Sequence, residues 1–353
     1  MNALLSGDLP RSRILAALLL LILIGLAGAP FFFGGARGLN VAATICVFVV
    51  LVASYDLLLG STGIVSFAHT MFYGIGAYGV GLALNSLGPS WWSLSLGVVA
   101  ALLLSLLLAL LIGLFSLRVK AIFFAMITLA VASAFAVLAS QLSDLTGGED
   151  GRSFKVPELL APSYQLFAGE IFGRSIDGKV ITYYLVFGAA LALFLLMLRI
   201  VNSPFGRVLQ AIRENEFRAD ALGYRTVLYR TLGNCLAALI ATLAGVLMAL
   251  WLRYVGPKTV LSFEVMTDIL LIVVIGGMGT LYGAVVGATL FILAQNYLQA
   301  LMGKASQALA AIPVLAQLLH PDRWLLWLGV LFVLSVYFFP TGIVGKLRSR
   351  AQR

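Results

Sequence analysis

The sequence predicts an all-α integral membrane protein, a polytopic bundle of about ten transmembrane helices. Of its 353 residues, 61% are hydrophobic and 10% are charged, whereas charged residues make up about a quarter of a typical soluble domain. The mean hydropathy is +1.05, and a soluble fold of this length has too little interior to bury that much apolar surface. Several apolar runs are also long enough to cross a bilayer.

Ten apolar segments, one after another, have about the length of a membrane span. We predict spans at 14–33, 41–60, 63–87, 93–115, 121–142, 180–201, 229–252, 265–279, 284–302 and 324–340. The first follows two arginines, as a signal peptide would, but it is long for a signal sequence, so we interpret it as a membrane anchor. Residues 1–353 therefore form a single transmembrane domain, with its longest loops at 143–179 and 202–228.

The basic residues predict how these spans are oriented, because loops on the cytoplasmic side carry an excess of Lys and Arg. An even number of spans places both termini and the 202–228 loop in the cytoplasm. The other basic residues on that side are Arg11, Arg13, Arg118, Lys120, Lys346, Arg348, Arg350 and Arg353. The 143–179 loop, with six acidic and four basic residues, is then extracytoplasmic. The net charge of +9 thus indicates membrane topology rather than nucleic-acid binding.

Two glycine-rich segments, near 60–79 and 273–288, interrupt the apolar pattern without leaving the membrane. Glycine permits close contact between membrane helices. It also lets the backbone unwind, which is tolerated only where the freed amides face protein or a wet cavity. Paired interrupted segments in the two halves of a chain indicate a translocation path. Tight helix packing is the alternative, and the two can coexist.

Ionisable residues within the predicted spans are few. His69 lies mid-span and is a functional candidate by default, although a neutral histidine satisfied by a neighbouring helix is the favoured alternative, because no second ionisable residue lies near it in the sequence. Asp56 and Asp268 could cap a broken helix or line a polar cavity. Cys46 and Cys235 lie inside apolar runs, and we interpret them as small core residues rather than as a disulfide or metal motif.

The 202–228 loop predicts a short amphipathic helix that begins at Pro204 and is broken near its end by Gly223. Ser203 can accept a hydrogen bond from a free amide of its first turn. Apolar residues follow with helical spacing, at Phe205, Val208, Leu209 and Ile212. A helix joined to two spans is suited to a groove on a cytosolic partner; a helix lying on the lipid surface is the alternative. Residues 202–230 mix five arginines with three acidic residues, which favours a protein partner.

Several stretches, in order from about residue 54 to 345, resemble the permease subunits of ATP-binding-cassette importers for branched-chain amino acids. The resemblance is to the larger of the two paired permeases. The stretches are DLLLGSTGIVSFAHTMFYGIGAY at 56–78, AIFFAMITLA at 121–130, LTGGEDG at 145–151, SPFGRVLQAIRENEFRADALG at 203–223, GGMGTLYGAVVGA at 276–288 and FFPTGIVG at 338–345.

The resemblance implies a non-catalytic permease of a bacterial cytoplasmic membrane, working with other subunits. These are a second permease, two cytosolic ATPases that bind ATP and Mg²⁺, and an extracytoplasmic binding protein. The chain itself has no phosphate-binding G-x-x-x-x-G-K-[ST] motif, and we expect it to bind no cofactor or metal. The implied cargo is Leu, Ile or Val; similar permeases carry urea, short amides or aromatic acids. An ion-coupled transporter acting alone is the alternative class, although His69, Asp56 and Asp268 offer few groups for it.

The same resemblance assigns three groups of candidate residues. For coupling to the ATPases these are Pro204, Phe205, Arg213, Glu214, Asn215, Ala219 and Gly223. For the translocation path they are Asp56, Gly60, Gly63, Ser66, His69, Gly74, Gly76, Gly276, Gly277 and Gly279. For contact with the binding protein they are Thr146, Gly147, Gly148, Asp150 and Gly151.

Overall fold

The computed structural model describes residues 12–32, 35–116, 121–171, 174–308 and 317–350. Arg11, Arg118, Lys120 and Arg353, which enter the charge argument, lie outside the described residues, as does residue 33 at the end of the first predicted span.

The described residues are mainly helical. The α-helices are α1 (Arg13–Ala27), α2 (Ala29–Phe32), α3 (Ala36–Thr62), α4 (His69–Leu87), α5 (Trp91–Ser116), α6 (Ala121–Gln141), α7 (Ser143–Thr146), α8 (Gly178–Val201), α9 (Pro204–Glu214), α10 (Glu216–Ala221), α11 (Thr226–Leu252), α12 (Pro257–Val260), α13 (Phe263–Gly276), α14 (Leu281–Ala308), α15 (Trp324–Phe338) and α16 (Gly342–Arg350). Short 3₁₀ helices lie at Gly148–Asp150, Glu158–Leu160 and Pro321–Arg323. The strands are β1 (Arg152–Ser153), β2 (Gln165–Ile171), β3 (Arg174–Asp177) and β4 (Tyr254–Val255).

Eight helical segments of the described residues are long and apolar enough to cross a membrane, compared with about ten predicted spans. The two other predicted spans correspond to α1, which is 15 residues long, and to α4, which is 19 residues long. Glycines, His69 and hydroxyl side chains make α4 less apolar than its neighbours. The predicted fold class, an all-α polytopic membrane protein, is confirmed.

Two helices form the centre of the bundle. Within the most apolar stretch of each helix, 94% of α3 and 78% of α11 are buried inside the protein, compared with 22% of α6. The helix α11 packs against α3, α4 and α5. Its contact with α4 is close because each helix places a glycine against the backbone of the other. Gly76 of α4 lies against the carbonyl of Thr242, and Gly245 of α11 lies against the carbonyl of Tyr73. The outer helices turn apolar side chains outward, as lipid contact requires.

The loops gather at the two ends of α11. At one end, β4 pairs antiparallel with β1, which joins the 143–179 loop to the residues that follow α11. At the other end, α9 packs against α3, α8 and α11, and Gly277 lies beside Thr341.

Candidate functional site

The first break lies between α3 and α4, where residues 63–68 are not helical. Gly63 ends α3 with a φ of +72°, a conformation that favours glycine. The Nε2 atom of His69 lies 2.9 Å from the Oγ of Ser54, so α4 begins level with a residue two turns before the end of α3. Two turns of helix correspond to roughly 11 Å. The non-helical stretch thus folds back along α3 within the bundle.

His69 is buried and hydrogen-bonded at this break. Ser54 donates its hydroxyl hydrogen to the Leu51 carbonyl at 2.7 Å, so the same hydroxyl accepts from His69, whose imidazole proton must lie on Nε2. The ring of Tyr55 meets the imidazole edge-on, with the ring centroids 5.1 Å apart. This geometry matches the alternative of a neutral histidine satisfied by a neighbouring helix. A role of His69 in the path stays a prediction.

The second break lies between α13 and α14, at residues 277–280. Gly277 and Gly279 have φ values of +113° and +82°, which L side chains rarely adopt. On either side the two helices pack closely: a Cβ atom on Gly287 would lie 2.5 Å from the carbonyl oxygen of Ile272. The glycines of this segment therefore provide both a break and close helix packing, and the translocation path stays a prediction.

Asp56 joins the two breaks. Its side chain is buried in α3 and accepts a hydrogen bond from the Gly279 N–H at 2.7 Å. One turn later, the carbonyl of Gly60 accepts a hydrogen bond from the guanidinium of Arg213. No side chain fits at Gly60, because a Cβ atom there would lie 2.5 Å from Asp56 Oδ1 and 2.7 Å from Gly279 Cα. Residues predicted separately in three parts of the chain thus form one cluster.

The coupling segment, predicted as one helix ending near Gly223, consists of two helices. Ser203 caps α9 by accepting from the Gly206 N–H at 3.3 Å, and Pro204 is its first residue. Asn215 has extended backbone, with a φ of −157°, and its side chain accepts from the Arg218 N–H at 2.9 Å to cap α10. The single-helix prediction was wrong, because an asparagine can end one helix and start the next.

The apolar stripe of α9 faces the chain's own bundle. Leu209 and Ile212 are buried, with Leu209 near Gly233 of α11, and Phe205 stacks on Tyr229 at 5.8 Å between ring centroids. The chain's own helices therefore cover this stripe. Helical periodicity shows that an apolar face exists but not what covers it. Docking of the helix to a cytosolic partner stays a prediction.

A different part of the loop exposes apolar side chains. Phe217 is 90% exposed on α10, and Leu222 is 72% exposed just after it. Ala219 is buried between them, and Glu216 forms an ion pair of 2.6 Å with Arg230 of α11. Sequence reasoning missed Phe217 because it lies among charged residues. The signal that could have identified Phe217 was a single aromatic residue between charged ones.

The turn at 146–151 is built by its small residues. Thr146 is buried and donates to the carbonyls of Ala139 and Leu142 at 2.5 and 2.7 Å. Glycines with positive φ, from +63° to +84°, shape the rest, at Gly147, Gly148 and Gly151. Only Glu149 and Asp150 turn exposed side chains outward. Of the five residues predicted to contact a binding protein, only Asp150 has an exposed side chain. The sequence analysis did not include Glu149, whose side chain is exposed beside it.

The remaining path candidates pack inside the bundle. Gly74 lies against Leu261 of the α12–α13 connection, and Gly76 packs on α11. Ser66 accepts from the Ala68 N–H at 3.3 Å within the first break. Sequence reasoning missed two aromatic residues at this place: Phe67 stacks on Phe263, with ring centroids 6.3 Å apart, and Phe263 is 60% exposed.

These features define a class of protein: a polytopic helical membrane protein with two helix breaks inside the bundle and a loop hydrogen-bonded at the first of them. The comparison with known proteins gives the family. The chain belongs to the family described as branched-chain amino acid transport system, permease component, whose model matches residues 38–336. The chain is therefore a multi-pass membrane permease.

Curated relatives agree with this assignment. The chain is 26% identical over 326 residues to the high-affinity branched-chain amino acid transport system permease protein LivM of Salmonella typhimurium and, equally, to that of Escherichia coli; each match covers 88% of this chain and 75% of the relative. It is 23% identical over 304 residues to LivH of Salmonella typhimurium, which covers 85% of this chain and 91% of LivH. No solved structure matches the chain. The family predicted from the motifs is confirmed.

Proposed function

We propose that the chain is a permease subunit of an ATP-binding-cassette importer and forms part of the path for branched-chain amino acids, Leu, Ile and Val. The relatives named LivM and LivH are permeases of branched-chain amino acid transport systems. The observation that carries the mechanism is the hydrogen bonding of the 202–228 loop to the break that follows α3. Movement imposed on this loop from outside would reach the membrane break directly.

Two cytosolic ATPases are the proposed partners of this loop. Phe217 and Leu222 are strongly exposed in a segment that connects two membrane helices, and large apolar side chains of this kind anchor protein interfaces. The chain's own sequence has no phosphate-binding loop, so ATP and Mg²⁺ would be bound by the partners. In this arrangement the chain lies in a bacterial inner membrane, and its termini and the 202–228 loop are on the cytoplasmic side.

We propose that a second permease covers the first break. Gly63, Val65 and Phe67 of the non-helical stretch are partly exposed, and exposed Phe263 lies beside them. Non-helical backbone within a membrane must face protein or water rather than lipid. We place the path between the two permeases at this face, where apolar walls suit a branched aliphatic side chain and backbone polar groups suit its charged ends.

An extracytoplasmic binding protein would contact the opposite end of the bundle, at Glu149 and Asp150. This arrangement also argues against an ion-coupled carrier acting alone. Such a carrier needs free charged groups in its spans, whereas Asp56 is already bonded to Gly279 and His69 to Ser54.

Reconstitution of the whole importer in vesicles tests the proposal. The chain, the second permease, the ATPases and the binding protein encoded with it are combined, and uptake of labelled leucine is measured with ATP inside. We expect ATP-dependent uptake that excess isoleucine or valine suppresses and that urea, short amides and aromatic acids do not. Omission of the binding protein is the control. Suppression by urea, amides or aromatic acids instead would reassign the cargo within the same class of importer.

A further inference from the structure

We infer that Arg213 transmits movement of the coupling loop to the two membrane breaks and holds them together at the loop end. The inference rests on the proposed function, because it requires ATPases that move the loop. Arg213 is the penultimate residue of α9. Its guanidinium donates to the Gly60 carbonyl, and a Cβ atom on Gly279 would lie 3.1 Å from its Nη1 atom. One side chain therefore reaches both breaks.

The Gly60 carbonyl needs a partner because of where α3 ends. The last four carbonyls of a helix have no partner within the helix, and α3 ends at Thr62. A cation at a helix C-terminus is also favoured by the helix dipole. Arg213 supplies both the donor and the charge. Its aliphatic part lies along the same terminus, since a Cβ atom on Gly63 would lie 3.3 Å from its Cγ atom.

A charge of the opposite sign lies just before the start of α14. A carboxylate near the N-terminus of a helix is favoured by the helix dipole. Asp56 accepts from the Gly279 N–H, two residues before α14 begins. The carboxylate of α3 therefore holds the second break, and the arginine of α9 holds the first. The attraction between Asp56 and Arg213 links the two contacts.

The exposure of the two charged groups suits a contact that opens and closes. Asp56 is 4% exposed, so losing its bond to the second break would leave a buried carboxylate without that partner. Arg213 is exposed overall, so water can replace the Gly60 carbonyl as its acceptor when α9 moves, at the cost of one charged hydrogen bond. Withdrawal of α9 would thus release the end of α3 and leave the buried Asp56 carboxylate held by the Gly279 N–H alone among these contacts. In the conformation described, Arg213 is bonded to the end of α3.

The test compares Arg213→Ala and Arg213→Lys with Arg207→Ala in the complete reconstituted importer. Arg207 lies on the exposed side of the same helix, and its side chain makes no hydrogen bond or ion pair to any residue that the structure describes. Three quantities are measured: the amount of ATPase that co-purifies with the permease, ATP hydrolysis stimulated by loaded binding protein, and leucine uptake. The melting temperature of each variant shows that it is folded.

We expect Arg213→Ala to retain the ATPases and hydrolyse ATP, but to transport at least about tenfold less leucine for each ATP, as loss of one charged hydrogen bond implies. Arg213→Lys should restore part of the leucine transported per ATP, because an ammonium group can donate to Gly60 but lacks the planar guanidinium fork. Arg207→Ala should match the wild type.

A distance measurement adds a direct readout. Spin labels at Gln210→Cys on α9 and Met278→Cys in the second break report their separation, since the native cysteines are buried. With the ATPases trapped in the ATP-bound state, we expect one narrow distribution of distances between the two labels in the otherwise wild-type importer. With Arg213→Ala we expect a broader distribution.

Three results would overturn the inference. An unchanged ratio of leucine to ATP in Arg213→Ala would show that the contact does not transmit movement. Loss of the ATPases together with uptake would make Arg213 a docking contact instead, and would leave the proposed function intact. Failure of the wild-type permease to bind any ATPase would remove the proposed function and this inference with it.

Discussion

At the residue scale, the hydrogen bond between Ser54 and His69 supports a structural role for the intramembrane histidine. Both residues are buried, and the bond of 2.9 Å joins α3 to α4. Ser54→Ala would leave the Nε2–H of His69 without an acceptor, at a cost of about 1–3 kcal/mol. We predict a lower melting temperature of the purified permease and an unchanged KM for leucine uptake.

Ser86→Ala is the matched control, because Ser86 lies on α4 but is exposed and should tolerate the change. An unaltered melting temperature with a changed KM in Ser54→Ala would instead indicate that His69 contacts the cargo.

Gly76 carries a second prediction at this scale. A side chain there meets the backbone carbonyl of Thr242, so Gly76→Val should force α4 away from α11 and destabilise the fold by about 1–3 kcal/mol. Gly188→Val on α8 is the control, because a Cβ atom at Gly188 has no neighbour within 4 Å among the residues described. Equal melting temperatures of the two variants would contradict the close packing described here.

At the element scale, α10 is the part of the coupling loop that faces outward. Because Phe217 is 90% exposed, Phe217→Ser should leave the permease folded yet reduce co-purification of the ATPases severalfold or more, as for an interface anchor. Gln210→Ser on the exposed side of α9 is the control. Equal recovery of ATPase with Phe217→Ser and with the control would rule out α10 as the docking element.

The sequence predicted the local features of this loop better than its packing. Ser203 and Pro204 begin α9 as expected, since capping depends on neighbouring residues alone. The direction of the apolar stripe depends on α3 and α11, which are distant in sequence, and so it could not be derived. The same holds for the turn at 146–151: its threonine and glycines are visible as a pattern, but only the fold shows that they shape the turn.

At the scale of the whole molecule, composition and hydropathy predicted the fold class, because lipid contact constrains every span in the same way. They were less reliable for the number of spans, since α4 contains polar and glycine residues that its buried position tolerates. The two breaks were located as glycine-rich segments. Their junction through Asp56 and Arg213 could not be predicted, because it joins residues from three separate parts of the chain.

The central claim is that this permease is moved by ATPases rather than by an ion gradient. The most direct measurement compares leucine uptake by vesicles that contain the complete importer with uptake by vesicles that contain this chain alone, under ATP and under sodium or proton gradients. The account predicts uptake only by the complete importer with ATP. Uptake by the isolated chain along an ion gradient, without ATPases, would contradict it.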